Sequence, residues 1–170
     1  MFVLVCVVAL SYASEVKDLT NVEEPQIAMP TCAHVDTQEE FNQALGKLVE
    51  IGGSTVNSTE RIMETVHLFH EKLSTMDSSV VFVEKSATLI ENLEQSKSKL
   101  GVRVFTLRSL KKGPPALDGY ELLCYKYSGM LREDMQDLNN NLHKLYRYDE
   151  FIHDYYFPKK PPSTNSNSGD

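Results

Sequence analysis

Residues 116–157 read ALDGYELLCYKYSGMLREDMQDLNNNLHKLYRYDEFIHDYYF. Within this stretch Leu117, Tyr120, Cys124, Tyr127, Leu131, Leu138, Leu145, Tyr148, Ile152 and Tyr155 recur at steps of three and four, with skips at Asp134 and Asn141. That spacing keeps an apolar stripe on one side of a 3.6-residue helix. Pro114 and Pro115 stand just before it, where a missing amide does little harm, and Pro158 stops it. The expectation is one elongated final helix of roughly 60 Å at 1.5 Å per residue. Gly119 and Gly129 fall inside it and weaken it by up to about 1 kcal/mol each relative to Ala.

Working outward, three shorter helices are expected upstream. Thr37-Gln38-Glu39-Glu40 has the capping-box pattern, in which the Thr hydroxyl and the Glu carboxylate each satisfy an orphan amide. It opens a first helix with Phe41, Ala44, Leu45, Leu48 and Val49 on its apolar face, and Gly52-Gly53 reads as its C-terminal stop. A second helix runs from about Thr55 to Met76 on Ile62, Val66, Phe69, Leu73 and Met76, with Asp77-Ser78-Ser79 as break and next N-cap. A third begins near Val80 and carries Val83, Ala87, Ile90, Leu93, Leu100, Val104 and Leu107, interrupted at Lys97. Residues 102–107 are strand-like in composition, but no other segment offers a pairing partner. The fold class is therefore an all-α antiparallel bundle of about four helices, coiled-coil-like in its packing, with an elongated last helix and a kink near Gly101.

The ends of the chain divide as follows. Residues 1–13 combine a short apolar run, Phe2 to Leu10, with small residues Ser11 and Ala13 at the −3 and −1 positions of a cut, which reads as a secretory signal peptide. The run is too short to span a bilayer. Residues 14–35 form a polar, extended leader with Pro25 and Pro30, residues 36–157 the helical domain, and residues 158–170 a proline-rich and then small, polar tail with the composition of a disordered segment. The expected destination is extracellular.

Secretion changes the reading of two features. Cys32 and Cys124 are the cysteines left after cleavage, and in an oxidising compartment they pair most simply as one disulfide; one buried and one exposed thiol is the alternative. In an up-down-up-down bundle they would lie towards opposite ends. Either the leader doubles back or the chain turns near Gly101, since a disulfide needs Cα atoms within about 7 Å. Asn57-Ser58-Thr59 is the one Asn-x-Ser/Thr sequon and marks Asn57 as a glycan acceptor on an exposed surface.

Catalytic constellations are weak. Glu-x-x-His occurs as Glu64–His67 and Glu150–His153, the spacing that di-iron bundles use on two helices, and Glu50 with Glu91 or Glu94 would have to complete the set. At 100° per residue, however, Glu64 and His67 lie about 200° and 140° from Ile62, and Glu150 about 160° from Ile152, so both motifs point away from the stripe. His67 and His70 stand at i and i+3 near Glu71, with no matching cluster to close a four-ligand site, and His34 reads as a loop residue. There is no Gly-x-Ser-x-Gly and no Gly-rich phosphate loop. The expectation is a non-enzyme with no metal or cofactor.

Charge says more. The net charge is −7, yet Lys97, Lys99, Arg103, Arg108, Lys111 and Lys112 form a block with no acid between Glu94 and Asp118. On a helix this block flanks Leu100, Val104 and Leu107, an arrangement that meets anionic lipid or a polyanion, or simply solvates the helix and pairs with acidic neighbours. Net acidity argues against nucleic acid. Seven of the 8 tyrosines fall between Tyr120 and Tyr156; Tyr125, Tyr146 and Tyr156 lie beside the main stripe and either widen the core or face a partner. Four-helix cytokines share the size but need long crossovers, whereas the turns here are short. The sequence thus leads to a secreted, glycosylated, non-enzymatic binding protein for an extracellular protein or polyanion, with a carrier of lipid or a small hydrophobic ligand as the alternative.

Overall fold

The computed structural model describes residues 28–75, 80–110, 119–156, 158, 160 and 161. Among these the chain forms three long helices: α1, Gln38–Thr75; α2, Val80–Leu110; and α3, Tyr120–Tyr156. The signal-peptide segment, most of the leader, the Asp77-Ser78-Ser79 break and nearly all of the tail lie outside the described residues.

α1 opens as its capping box dictates. Glu40 Nα–H donates to Thr37 Oγ1 at 3.2 Å, while Glu40 Oε2 accepts from the amides of Thr37 at 3.1 Å and Asp36 at 3.0 Å. These amide bonds to the charged form hold the Glu40 carboxyl below its usual value.

The division expected at Gly52-Gly53 is absent. α1 runs unbroken through both glycines, so the first two expected helices are one helix of 38 residues. Residues 52–59, Gly-Gly-Ser-Thr-Val-Asn-Ser-Thr, hold only poor helix formers, which together cost on the order of 5 kcal/mol relative to alanines. Packing overrides that propensity. A Cβ on Gly52 would fall 2.6 Å from Val104 Cγ2 and 3.2 Å from Leu131 Cδ1, so this glycine permits a close three-helix approach and does not cap a terminus.

The break expected near Gly101 is likewise absent: α2 spans 31 residues through it, and the strand-like 102–107 segment is helical. Leu100, Val104 and Leu107 stay on the buried face, and that packing carries the helix across the glycine. α3 begins at Tyr120, after Gly119, whose φ of 85° marks the turn into the helix. At 37 residues α3 matches α1 in length, so the last helix is not the exceptional one.

Three helices change the parity of the bundle. α1 and α3 run parallel: His70 meets Asp149 across a separation of 79 residues, and Phe41 meets Tyr120, and Gly52 meets Leu131, at the same spacing. α2 runs antiparallel to both. The starts of α1 and α3 therefore share one end, and Cys32 and Cys124 are joined there by a disulfide with Cα atoms 5.5 Å apart. The opposite-ends difficulty came from counting one helix too many. The disulfide, 2% and 1% exposed at its two cysteines, continues into a core of Leu45, Leu48, Leu93, Leu100, Leu131 and Leu145. Each buried leucine is worth about 1.5–3 kcal/mol of transfer free energy.

Candidate interaction surface

The skips in the apolar stripes turn out to be inter-helix polar contacts. Asp134, 2% exposed, accepts from Arg103 Nε at 2.8 Å and lies 3.5 Å from Lys99 Nζ. Lys99 also donates to Asp137 at 3.1 Å, and this bond leads the causes that raise its pKa. Asn141 donates to the buried Ser96 hydroxyl. Ser96 is the position α2 turns inward where the stripe reading met Lys97; Lys97 points to Glu60 of α1 at 3.8 Å.

Half of the basic block is thereby absorbed. Lys97, Lys99 and Arg103 each face acidic neighbours of the same bundle, and the apolar stripe they flank is the core face of α2. Arg108 lines a shallow α1–α2 concavity with Gly53, Asn57, Arg61 and Glu50. Lys111 and Lys112 lie outside the described residues.

The tyrosines divide. Tyr146 faces the core at 8% exposure, so it offers no partner surface; its hydroxyl has no hydrogen-bond partner among the described residues. Burial first, and the Asp149 carboxylate second, push its phenol well above the usual tyrosine value. Tyr156 ends α3, and its side chain lies outside the described residues. Tyr125 is 54% exposed on α3; the other aromatic side chains that reach the α2–α3 surface are ones the sequence reading left in the stripe or passed over. Tyr148, Phe151 and Tyr155 step three and four along α3 beside Phe82 of α2. Phe82 meets the edges of Phe151 and Tyr155 with ring centroids 6.1 and 5.1 Å apart, Tyr148 stacks on Phe151, and Lys85 Nζ stands 4.9 Å over the Tyr148 ring. Phe151 and Tyr155 remain 54% and 63% exposed. Local phase did not mark this patch: Phe151 is one residue from buried Ile152, just as Tyr146 is one residue from buried Leu145, yet Tyr146 is buried and Phe151 is exposed.

The two Glu-x-x-His motifs do not converge. His67 meets Glu94 of α2 at 3.2 Å with both side chains about half exposed, while His70 turns to Asp149 of α3. His153 lies 3.6 Å from its neighbour Asp154, and Glu64 and Glu150 are exposed. Among the described residues no group of three or more His, Cys, Asp or Glu could hold a metal ion. None of the described helices is long and apolar enough to cross a membrane. Comparison with known proteins adds no family to this picture: no family model, no curated protein and no solved structure matches the chain.

Proposed function

We propose that this is a secreted, non-enzymatic helical-bundle protein that binds an extracellular protein through the α2–α3 aromatic seam. The observation that carries the reading is the pair Phe151 and Tyr155, more than half exposed on a packed base of Phe82 and Tyr148. Rings held by other rings lose little conformational freedom on binding, and aromatic anchors dominate protein interfaces. Lys85 over Tyr148 and Lys144 one turn before it stand with Glu150 and Asp154, the sequence neighbours of Phe151 and Tyr155, so the rim carries both signs of charge and suits a partner with a mixed polar edge. A polyanion partner is less well supported, because Lys97, Lys99 and Arg103 are engaged within the bundle.

The test is capture from extracellular fluid by the intact protein and by an F151S/Y155S variant with an unchanged melting temperature. A partner retained by the first and reduced at least ten-fold with the second supports the reading, with heparin leaving capture unaffected. Equal capture by both overturns it.

A second reading, carriage of lipid or a small hydrophobic ligand, has one observation in its favour: Val102 and Phe105 stand 66% and 71% exposed on the outer face of α2. Native mass spectrometry of protein secreted from cells decides it, since a carrier retains its ligand and an empty protein that ignores lipid vesicles is no carrier.

A further inference from the structure

We propose that Asn57 carries an N-linked glycan that is attached before α1 forms and that afterwards covers the α1–α2 concavity. The proposal rests on the reading of the chain as secreted. Asn57 is exposed on the outer side of α1 and lines that concavity with Gly53, Ser58, Arg61 and Arg108. The hydroxyl two residues on is not available in the folded protein. Thr59 is 3% exposed, and its Oγ1 donates to the Thr55 carbonyl at 2.8 Å. A sequon is recognised through both side chains, so the folded helix presents only half of it.

The sequence around it resolves the conflict in time. None of residues 52–59 is a strong helix former, and what holds them helical is the packing of Gly52 on Val104 and Leu131, which are synthesised much later. On a chain elongating at roughly 5–20 residues per second, the segment stays extended and accessible for on the order of ten seconds. In that window the Asn57 side-chain nitrogen attacks the anomeric carbon of a lipid-pyrophosphate-linked oligosaccharide. A C–N bond forms, the sugar C–O bond breaks, the lipid pyrophosphate leaves with the electron pair, and the amide gives up one proton. The glycan then lies on the α1–α2 side, which leaves the α2–α3 aromatic seam open.

The test has two arms. The full chain with its own N-terminus is expressed in eukaryotic secretory cells, and the medium is mapped by enzymatic deglycosylation in heavy-oxygen water. The expected result is a glycan at Asn57 that N57Q abolishes. In the second arm, unglycosylated protein is offered to detergent-solubilised microsomes either folded or reduced and unfolded; the unfolded chain is expected to be modified at least ten-fold better. Secreted protein with an unmodified Asn57 overturns the site, and equal modification of folded and unfolded chains overturns the order of events. Protein held in the cytosol with residues 1–13 intact defeats the secretion reading instead, and the microsomal arm still decides the site.

Discussion

His70 Nε2 and Asp149 Oδ1 meet at 3.2 Å across α1 and α3, with the aspartate fully buried and the histidine side chain 13% exposed. This contact ties the two parallel helices together at the end of the bundle remote from the Cys32–Cys124 disulfide. Replacing His70 by Ala removes this partner from a buried carboxyl and is expected to destabilise by about 1–3 kcal/mol. A double variant, H70L/D149L, replaces both groups by apolar side chains of similar size and is expected to lose much less than the two single changes combined. A double-mutant cycle in urea, reading the unfolding midpoints, checks this; additive losses would show that the two residues act independently.

The glycines separate by position. G52A drives a methyl group into Val104 and Leu131 and is expected to cost about 1–3 kcal/mol. G101A and G129A meet nothing within 4 Å of the added carbon, so each is expected to stabilise by about 0.5–1 kcal/mol through improved helix propensity. Thermal unfolding of the three variants against the parent protein should give opposite shifts.

The disulfide closes a separation of 92 residues. In the chain-entropy model its removal by C32S/C124S costs about 4.6 kcal/mol. Because the join is between helix starts that already lie side by side, the helical circular dichroism of the variant is expected to match the parent at low temperature while its denaturant midpoint falls.

Among the described residues, the hydroxyls of Tyr146 and Ser86 are buried without hydrogen-bond partners. Y146F and S86A are each expected to be neutral or to raise stability by about 1 kcal/mol. Tyr146 also predicts an alkaline limb. Its phenol titrates above the ordinary tyrosine value in the folded protein, so near pH 10 the unfolded chain loses this proton first. The folded state then binds more protons, and stability falls as pH rises above about 10, by up to about 1.4 kcal/mol per pH unit. Lys99, with its pKa raised by Asp137, contributes in the same direction. Urea midpoints between pH 7 and 11 should fall less steeply for Y146F than for the parent, and parallel curves would refute the assignment to Tyr146.

Much of the fold was legible in local spacing. The capping box at Thr37, the stripe from Phe41 to Leu48 and the stripe from Cys124 to Ile152 are short-range patterns, and each forms as read. Helix number was not legible, because Gly52-Gly53 has the local chemistry of a terminus and the atoms that overrule it, on Val104 and Leu131, are distant in sequence. The same limit applied to the surface. The basic block is real in the sequence, but only the packing of α2 on α1 and α3 revealed that Lys97, Lys99 and Arg103 turn to Glu60, Asp134 and Asp137.

The sequence by itself determined the helical class, the start of α1, the apolar faces and the pair of cysteines available for joining. Each of these depends on residues within a few turns of one another, where propensity, capping and periodicity act. Tertiary structure alone decided that α1 continues through its glycines, that the parallel run of α1 and α3 brings Cys32 to Cys124, and that Tyr146 points inward while Phe151 and Tyr155 point out. These outcomes depend on contacts between segments far apart in the chain, whose packing energy outweighs the local preference of eight poor helix formers.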